Sequence, residues 1–272
     1  MDLGSELWPV VAALLGAGVL AGFLAGLLGI GGGVVTIPAL FLALDPLGVP
    51  LEWRMHVAIA TSLAIIIATN LSSVRAHHSR QGVDWGIVRR WWWLVAIGAI
   101  LGSVAAKHLK TAELVYVFAT LSGLLALKMV LPIQHWRLGT GLPKGAKGYA
   151  APWVIGFFSS VMGIGGGSLS VPYMTLYDVP IHRAVGTASL LGLVISVAGG
   201  GGYLLGGLDV AGLPDGQIGF VNWPAALVVA AAAALMAPIG ARAAHALPRA
   251  VLSVVFGLFL IAATVRLLVA VH

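Results

Sequence analysis

The sequence contains no cysteine, so neither disulfide nor thiolate chemistry is open to it, and its redox compartment cannot be read. Charge is nearly as scarce. Only 9% of the 272 residues are Asp, Glu, Lys or Arg, against 60% hydrophobic and a mean hydropathy of +1.02. That leaves too little polar surface to coat a water-soluble globule of this size. All nine acids fall near the ends of apolar runs or between them, so a sodium or metal site built from intramembrane carboxylates has no ligands. No HExxH, paired carboxylates, or Ser with a nearby His and acid stands out, which argues against an enzyme and implies neither cofactor nor metal. The net charge of +6 does not signal nucleic acid, because the basic residues lie between apolar segments and form no continuous stripe.

What is present is a series of apolar runs, near 7–28, 34–44, 55–74, 87–106, 113–131, 150–162, 168–178, 184–203, 221–241 and 250–270. Most approach the roughly 20 residues that a helix needs to cross a bilayer, and none alternates like a barrel strand. The expected fold is an all-α polytopic membrane protein. The second, sixth and seventh runs are short enough to be half-helices. The first run is preceded by Asp2 and Glu6 and lacks a basic leader, so it reads as a mature segment and not as a signal peptide.

The runs form two sets of five. Gly29 to Pro38 falls on Gly163 to Pro172 at an offset of 134; "HVAIATSL" from His56 falls on "RAVGTASL" from Arg183 at 127; Gly102, Leu109, Leu114 and Phe118 fall on Gly240, Leu247, Leu252 and Phe256 at 138. This is an internal duplication, with repeats at 1–133 and 150–272 and a basic connector at 134–149. Loop 75–90 carries Arg75, Arg80, Arg89 and Arg90, whereas its counterpart at 203–219 carries Asp209 and Asp215 with no Lys or Arg. By the positive-inside rule the two loops lie on opposite sides, so the repeats are expected to be inverted, with the connector cytoplasmic and both termini outside. Lys107 and Lys110 go against this placement, and the other charged loops and tails agree with it. "RRWWW" at 89–93 reads as an interfacial anchor with no ligand role, and His77 and His78 as solvated loop.

Each repeat contains GIGGG before a short apolar helix. A re-entrant hairpin would bring the two glycine turns toward each other near mid-membrane, the plan of many secondary transporters. Glycine exposes backbone N–H groups at a helix start, where the dipole is positive, and an oxyanion can be held there without a buried cation. No Lys-Ser/Thr follows either run, which excludes a nucleotide P-loop. Plain helix packing is the competing reading of the glycines. The candidate substrate-binding residues are Gly31, Gly32, Gly33, Val34, Gly165, Gly166, Gly167 and Ser168 at the turns, with Thr61, Ser62, Asn70, Thr187 and Ser189 as neutral donors on the third and eighth helices. For the hydroxyls, bonding back to their own helix is the alternative. Arg54, Arg183, His56 and His182 stand at the mouths of those helices as gating or anion-attracting groups, with protons as a conceivable coupling ion; snorkelling is the alternative for the arginines. "GGGGYLLGG" at 199–207, which has no partner in the first repeat, is either a hinge or a packing seam.

"GIGGGVVTIP" followed by "ATSL" and "RAHHSRQGVDW", then "GIGGGSLSVP" with "GTASL", resembles the TauE/SafE sulfite-exporter family of membrane permeases over nearly the whole chain. The resemblance implies a bacterial inner-membrane transporter of small sulfur-containing anions such as sulfite, thiosulfate, sulfoacetate or other sulfonates. It also implies functional roles for the two glycine runs with Thr61, Ser62, Thr187 and Ser189. The expected partners are thus a small anion and membrane lipid, with no nucleic acid; a passive anion channel and a non-transporting scaffold are the alternatives.

Overall fold

The computed structural model describes residues 3–28, 32–78, 81–130, 137–143, 145–243 and 249–271. Among them are ten helices: α1 (Leu3–Leu28), α2 (Gly33–Ala43), α3 (Leu51–His78), α4 (Trp85–Lys107), α5 (Thr111–Val130), α6 (Ala146–Val161), α7 (Gly167–Leu176), α8 (Ile181–Gly206), α9 (Trp223–Ala243) and α10 (Arg249–Val269). Five of these are long and apolar enough to cross a membrane. Large apolar side chains such as Leu124, Leu205, Leu227, Leu235 and Val269 face outward, which suits a lipid surround and not water. The chain is therefore an all-α, multi-pass membrane protein.

At 11 and 10 residues, α2 and α7 span only about half of the hydrocarbon thickness. The sixth element is longer than the half-helix expected. Gly145, at φ +68°, starts α6 four residues before the apolar run does, giving 16 residues. A two-residue hairpin, β1 (Gln217–Ile218) with β2 (Val221–Asn222), follows α8 and has no signal in the hydropathy. Its turn places Gly219 at φ +58° against the Leu204 carbonyl and drives Phe220 into the core.

The packing repeats itself when the two halves are exchanged. Gly22 of α1 is pressed on the Ala233 carbonyl of α9, and Gly156 of α6 on the Val95 carbonyl of α4. Gly240 of α9 meets the Phe23 carbonyl, and Gly102 of α4 meets the Phe157 carbonyl. Residues 22 and 156, and 23 and 157, stand 134 apart, and 95 and 233, and 102 and 240, stand 138 apart, the offsets at which the two halves align in sequence, so the two interfaces match. A Cβ at any of the four glycines would collide with backbone, which is how these helices come close enough for dispersion contacts to replace a hydrophobic drive that lipid cannot supply.

At the centre lie α3 and its counterpart α8, running antiparallel: Leu63 is beside Gly199, Asn70 beside Gly192, Ser73 beside Ser189, and Gly82 beside Gly186. One end of the molecule gathers the turn at 81–84, the starts of α4 and α8 and the end of α7. The connector joins them through Leu138 N–H to the Leu176 carbonyl at 2.8 Å and an Arg137–Asp178 ion pair at 2.7 Å. The opposite end holds the α2–α3 loop, the α4–α5 corner, where Thr111 donates to the Glu52 carbonyl at 2.6 Å, and the 207–222 loop with its hairpin. Lys107 and Lys110 lie at this second end, as the exception noted in the sequence requires. Of the three tryptophans at 91–93, Trp92 and Trp93 face outward, whereas Trp91 is buried against Tyr173 with ring centroids 5.8 Å apart.

Candidate functional site

The second glycine turn is built by a helix that stops and another that starts without a side-chain cap. Gly163, at φ +62°, ends α6; its N–H reaches the Ser160 carbonyl at 3.1 Å, and the N–H of Ile164 the Ser159 carbonyl at 3.0 Å. That left-handed residue is the usual C-terminal stop and is costly for anything but glycine. Gly166 then caps α7 with no side-chain hydrogen bond, and Gly167 and Ser168 are buried. In the first repeat Gly32 caps α2 in the same bare way, over buried Gly33 and Val34, while Gly31 lies outside the described residues. Two buried helix starts thus lack a side-chain cap; at α2 the N–H groups of Val35 and Thr36 both turn to the Gly32 carbonyl at 3.0 Å.

The turns meet. A Cβ on Gly33 would stand 2.7 Å from the Gly163 carbonyl oxygen and 3.0 Å from the Ile164 Cα. Ser62 fastens them together: its hydroxyl donates to the Gly163 carbonyl at 3.0 Å and hydrogen-bonds the Thr36 hydroxyl of α2 at 2.8 Å.

The other hydroxyls expected to face a ligand have protein partners. Thr61 Oγ1 accepts from the N–H of Asn222 at 3.0 Å, and Thr187 Oγ1 accepts from the N–H of Asp84 at 2.9 Å. Asp84 and Asn222 are counterparts in the duplication, and both cap the helix that follows: Asp84 Oδ1 accepts from Gly86 and Ile87 at 3.0 and 3.2 Å, and Asn222 Oδ1 from Ala225 at 3.0 Å. Each threonine therefore holds the start of the other repeat's fourth helix, one at each end of the molecule. Ser189 donates to the Val185 carbonyl and hydrogen-bonds Ser73, both at 3.0 Å.

Asn70 differs from these. Its side chain is 7% exposed and makes no hydrogen bond among the described residues. The amide nitrogen sits over the α7 turn, 2.7 Å from where a Cβ of Gly192 would be and 3.3 Å from that of Gly165. Gly166 N lies 3.2 Å from the same Gly192 position, so the amide and the start of α7 face one spot. Sequence reasoning missed a set of buried hydroxyls around this turn. Ser159, Ser160, Ser170 and Ser196 are at most 1% exposed, and their hydroxyls have no hydrogen-bond partner among the described residues. Ser170 lies one turn beyond Gly166 and Ser196 one turn beyond Gly192, so both follow the faces that meet at Asn70. Serines in apolar helices ordinarily bond back to the helix, and that ordinary expectation hid them.

At the helix mouths the charged residues separate. Arg54 is committed to structure: it pairs with Asp45, donates to the Val49 carbonyl at 3.2 and 3.3 Å, and lies over the Phe41 ring, pinning the α2–α3 loop. His56, placed at the mouth by its position in the sequence, is fully buried between Trp53 and Phe220, with Nε2 3.0 Å from the Ala106 carbonyl. The inserted hairpin accounts for this, since it supplies the Phe220 that covers the ring. Arg183 and His182 are exposed at the connector end. The glycines of "GGGGYLLGG" form a packing seam at three positions, Gly199 against the Ser160 hydroxyl, Gly202 against that of Ser103 and Gly207 against the backbone of Gly219 and Phe220.

These observations define a helical membrane protein whose buried hydrogen-bonding groups include glycine turns, hydroxyls and amides; no Asp, Glu, Lys or Arg is buried among the described residues. The chain belongs to the sulfite exporter TauE/SafE family, whose model matches residues 14–267. It is 32% identical over 250 residues to a probable membrane transporter protein of Haemophilus influenzae, covering 92% of this chain and 95% of that protein. It is 28% identical over 243 residues to the probable membrane transporter protein YunE of Bacillus subtilis, covering 82% and 85%. No solved structure matches it.

Proposed function

We propose that this protein moves small sulfur-containing anions (sulfite, thiosulfate, sulfoacetate or other sulfonates) across a bacterial inner membrane by alternating access of two inverted repeats. The observation that carries the proposal is the unpartnered Asn70 amide over the bare, buried start of α7. A primary amide without a partner among the described residues, beside a helix start that has no side-chain cap, offers hydrogen-bond donors to a ligand with lone pairs. The helix dipole favours an anion as that ligand, and neutral donors hold it weakly enough to let it leave. The matched family's description as a sulfite exporter supports the substrate class.

The antiparallel crossing of α3 and α8 supports inversion, because helices related by a two-fold axis and running oppositely across a membrane need that axis in the membrane plane. The repeats at 1–133 and 150–272 would then rock about this crossing, with the Thr187–Asp84 and Thr61–Asn222 bonds closing opposite ends. The basic connector and the arginine-bearing end face the cytoplasm, and the termini the periplasm.

Asn70→Leu tests the reading. The wild type gains thermal stability with sulfite, by about 2.7 kcal/mol when the ligand is at a hundred times its Kd. The variant folds normally, since the amide makes no bond that folding relies on, and it binds sulfite at least about tenfold more weakly, the usual value of a hydrogen bond to a charged group. A sulfite shift retained in Asn70→Leu overturns the site. Concentrative uptake into proteoliposomes under an imposed proton gradient separates a transporter from a channel.

A further inference from the structure

An apolar groove of about 480 Å³ opens on the outer surface between α1, α2 and α10. Small residues make it: Gly16 and Ala17 of α1, Pro38 and Ala39 of α2, Ala262 and Ala263 of α10. Its floor reaches Val35, two residues into the helix that the first glycine turn begins. Arg266, on the last turn of α10, lines the groove; it is exposed and pairs with no acid among the described residues. From Arg266 to Phe259 the groove runs along about 10 Å of helix, so a cation stands near one end of a slot that goes down into the apolar layer.

The small residues that make this slot are particular to one half of the sequence. At the aligned positions of the other half, Ala39, Ala262 and Ala263 give way to the bulkier Tyr173, Leu124 and Leu125, while a cation stands at Lys128.

We infer that this groove is a binding site for an anionic phospholipid, with one acyl chain lying against α2 and the headgroup phosphate on Arg266. Any lipid tail can fill the slot, so the charge decides which lipid stays: a single arginine near the membrane surface favours an anionic over a zwitterionic headgroup roughly fivefold. The tail would brace α2 from behind and so bias the glycine turn that it leads. A second copy of the chain is the rival occupant, and the two make different demands. A protein partner would need apolar area and no phosphate; a lipid needs both the tail and the headgroup.

The test uses the full chain, purified in mild detergent and titrated with phosphatidylglycerol and phosphatidylcholine of identical tails, with bound lipid counted by native mass spectrometry. The expected result is a roughly fivefold preference for phosphatidylglycerol, abolished by Arg266→Gln, which is exposed and folds. Ala263→Trp, which fills the slot, loses both lipids, and soluble glycerol phosphate does not compete because it has no tail. Ala39→Leu is a milder filling and serves if the tryptophan variant fails to fold. Equal retention of the two lipids by the wild type overturns the inference, as does a preference that survives Arg266→Gln. A concentration-dependent dimer broken by Ala263→Trp, with no lipid bound, assigns the groove to a second copy and overturns it also.

Discussion

Replacing Thr187 with valine removes one hydroxyl and keeps the shape. In the structure that hydroxyl accepts from the N–H of Asp84, 2.9 Å away and 103 residues earlier in the chain, and Asp84 in turn caps α4. The bond ties α8 to the start of α4 at the connector end. A net hydrogen bond is worth about 1 kcal/mol, and stranding the N–H brings the cost to about 1–2 kcal/mol. If alternating access opens this end, the closed state loses that amount and the open state loses nothing, so the open fraction rises roughly 5- to 30-fold. The natural chain has no cysteine, so a single cysteine at Ser170, buried beside the α7 turn, is the sole target for a membrane-impermeant thiol reagent. When opening is fast, the labelling rate follows the open population. Thr187→Val should therefore speed labelling 5- to 30-fold from the Asp84 side only, and Thr187→Ser, which keeps the hydroxyl, should leave it unchanged. Thr61→Val should do the same from the opposite side, because its partner is Asn222. Acceleration that is equal from both sides would refute the two-ended closure, as would a serine variant that behaves like valine.

Two further outcomes follow from the packing. Gly22→Leu and Gly156→Leu press a side chain onto the Ala233 and Val95 carbonyls, where even a Cβ collides. Each should cost several kcal/mol, beyond the usual overpacking penalty, and by about equal amounts because the interfaces match; denaturant unfolding in detergent measures both. Arg54→Gln, which breaks a pair whose acid is 65% exposed, should lower stability by about 1 kcal/mol and leave the salt dependence of transport unchanged. Arg183→Gln, on a cation that is exposed and pairs with no acid among the described residues, should leave stability alone and slow anion uptake most at low ionic strength, a difference that initial rates at two salt concentrations would resolve.

Much of the architecture is written in the chain because its causes are local. Hydropathy runs set the ten helices, and GIGGG, read twice, put a break before α2 and before α7. An 11-residue apolar run after four glycines has few other ways to be satisfied in a membrane. The grouping into two sets of five is an expectation drawn from spacing alone. Local signals failed where length or capping depended on residues of weak pattern: α6 starts at Gly145, and the β1–β2 hairpin inserts Phe220 next to His56, turning an expected surface histidine into a buried one.

The choice of candidate site residues rested on composition, because the apolar segments offer an anion little other than glycines, hydroxyls and the amides of Asn70 and Asn222. Their division of labour did not. Thr61 is joined to Asn222 across 161 residues and Ser62 to Gly163 across 101, and no periodicity encodes such pairings. Whether a hydroxyl is used up by the protein or left for a guest depends on which backbone group the fold brings within 3 Å of it. The sequence alone determined a glycine-broken membrane helix protein; only the tertiary structure decided that Thr61, Ser62 and Thr187 bind distant segments together while the Asn70 amide and the hydroxyls of Ser159, Ser160, Ser170 and Ser196 have no partner among the described residues. Hydrophobicity is a property of each residue, but the satisfaction of a polar group belongs to the neighbours it acquires on folding.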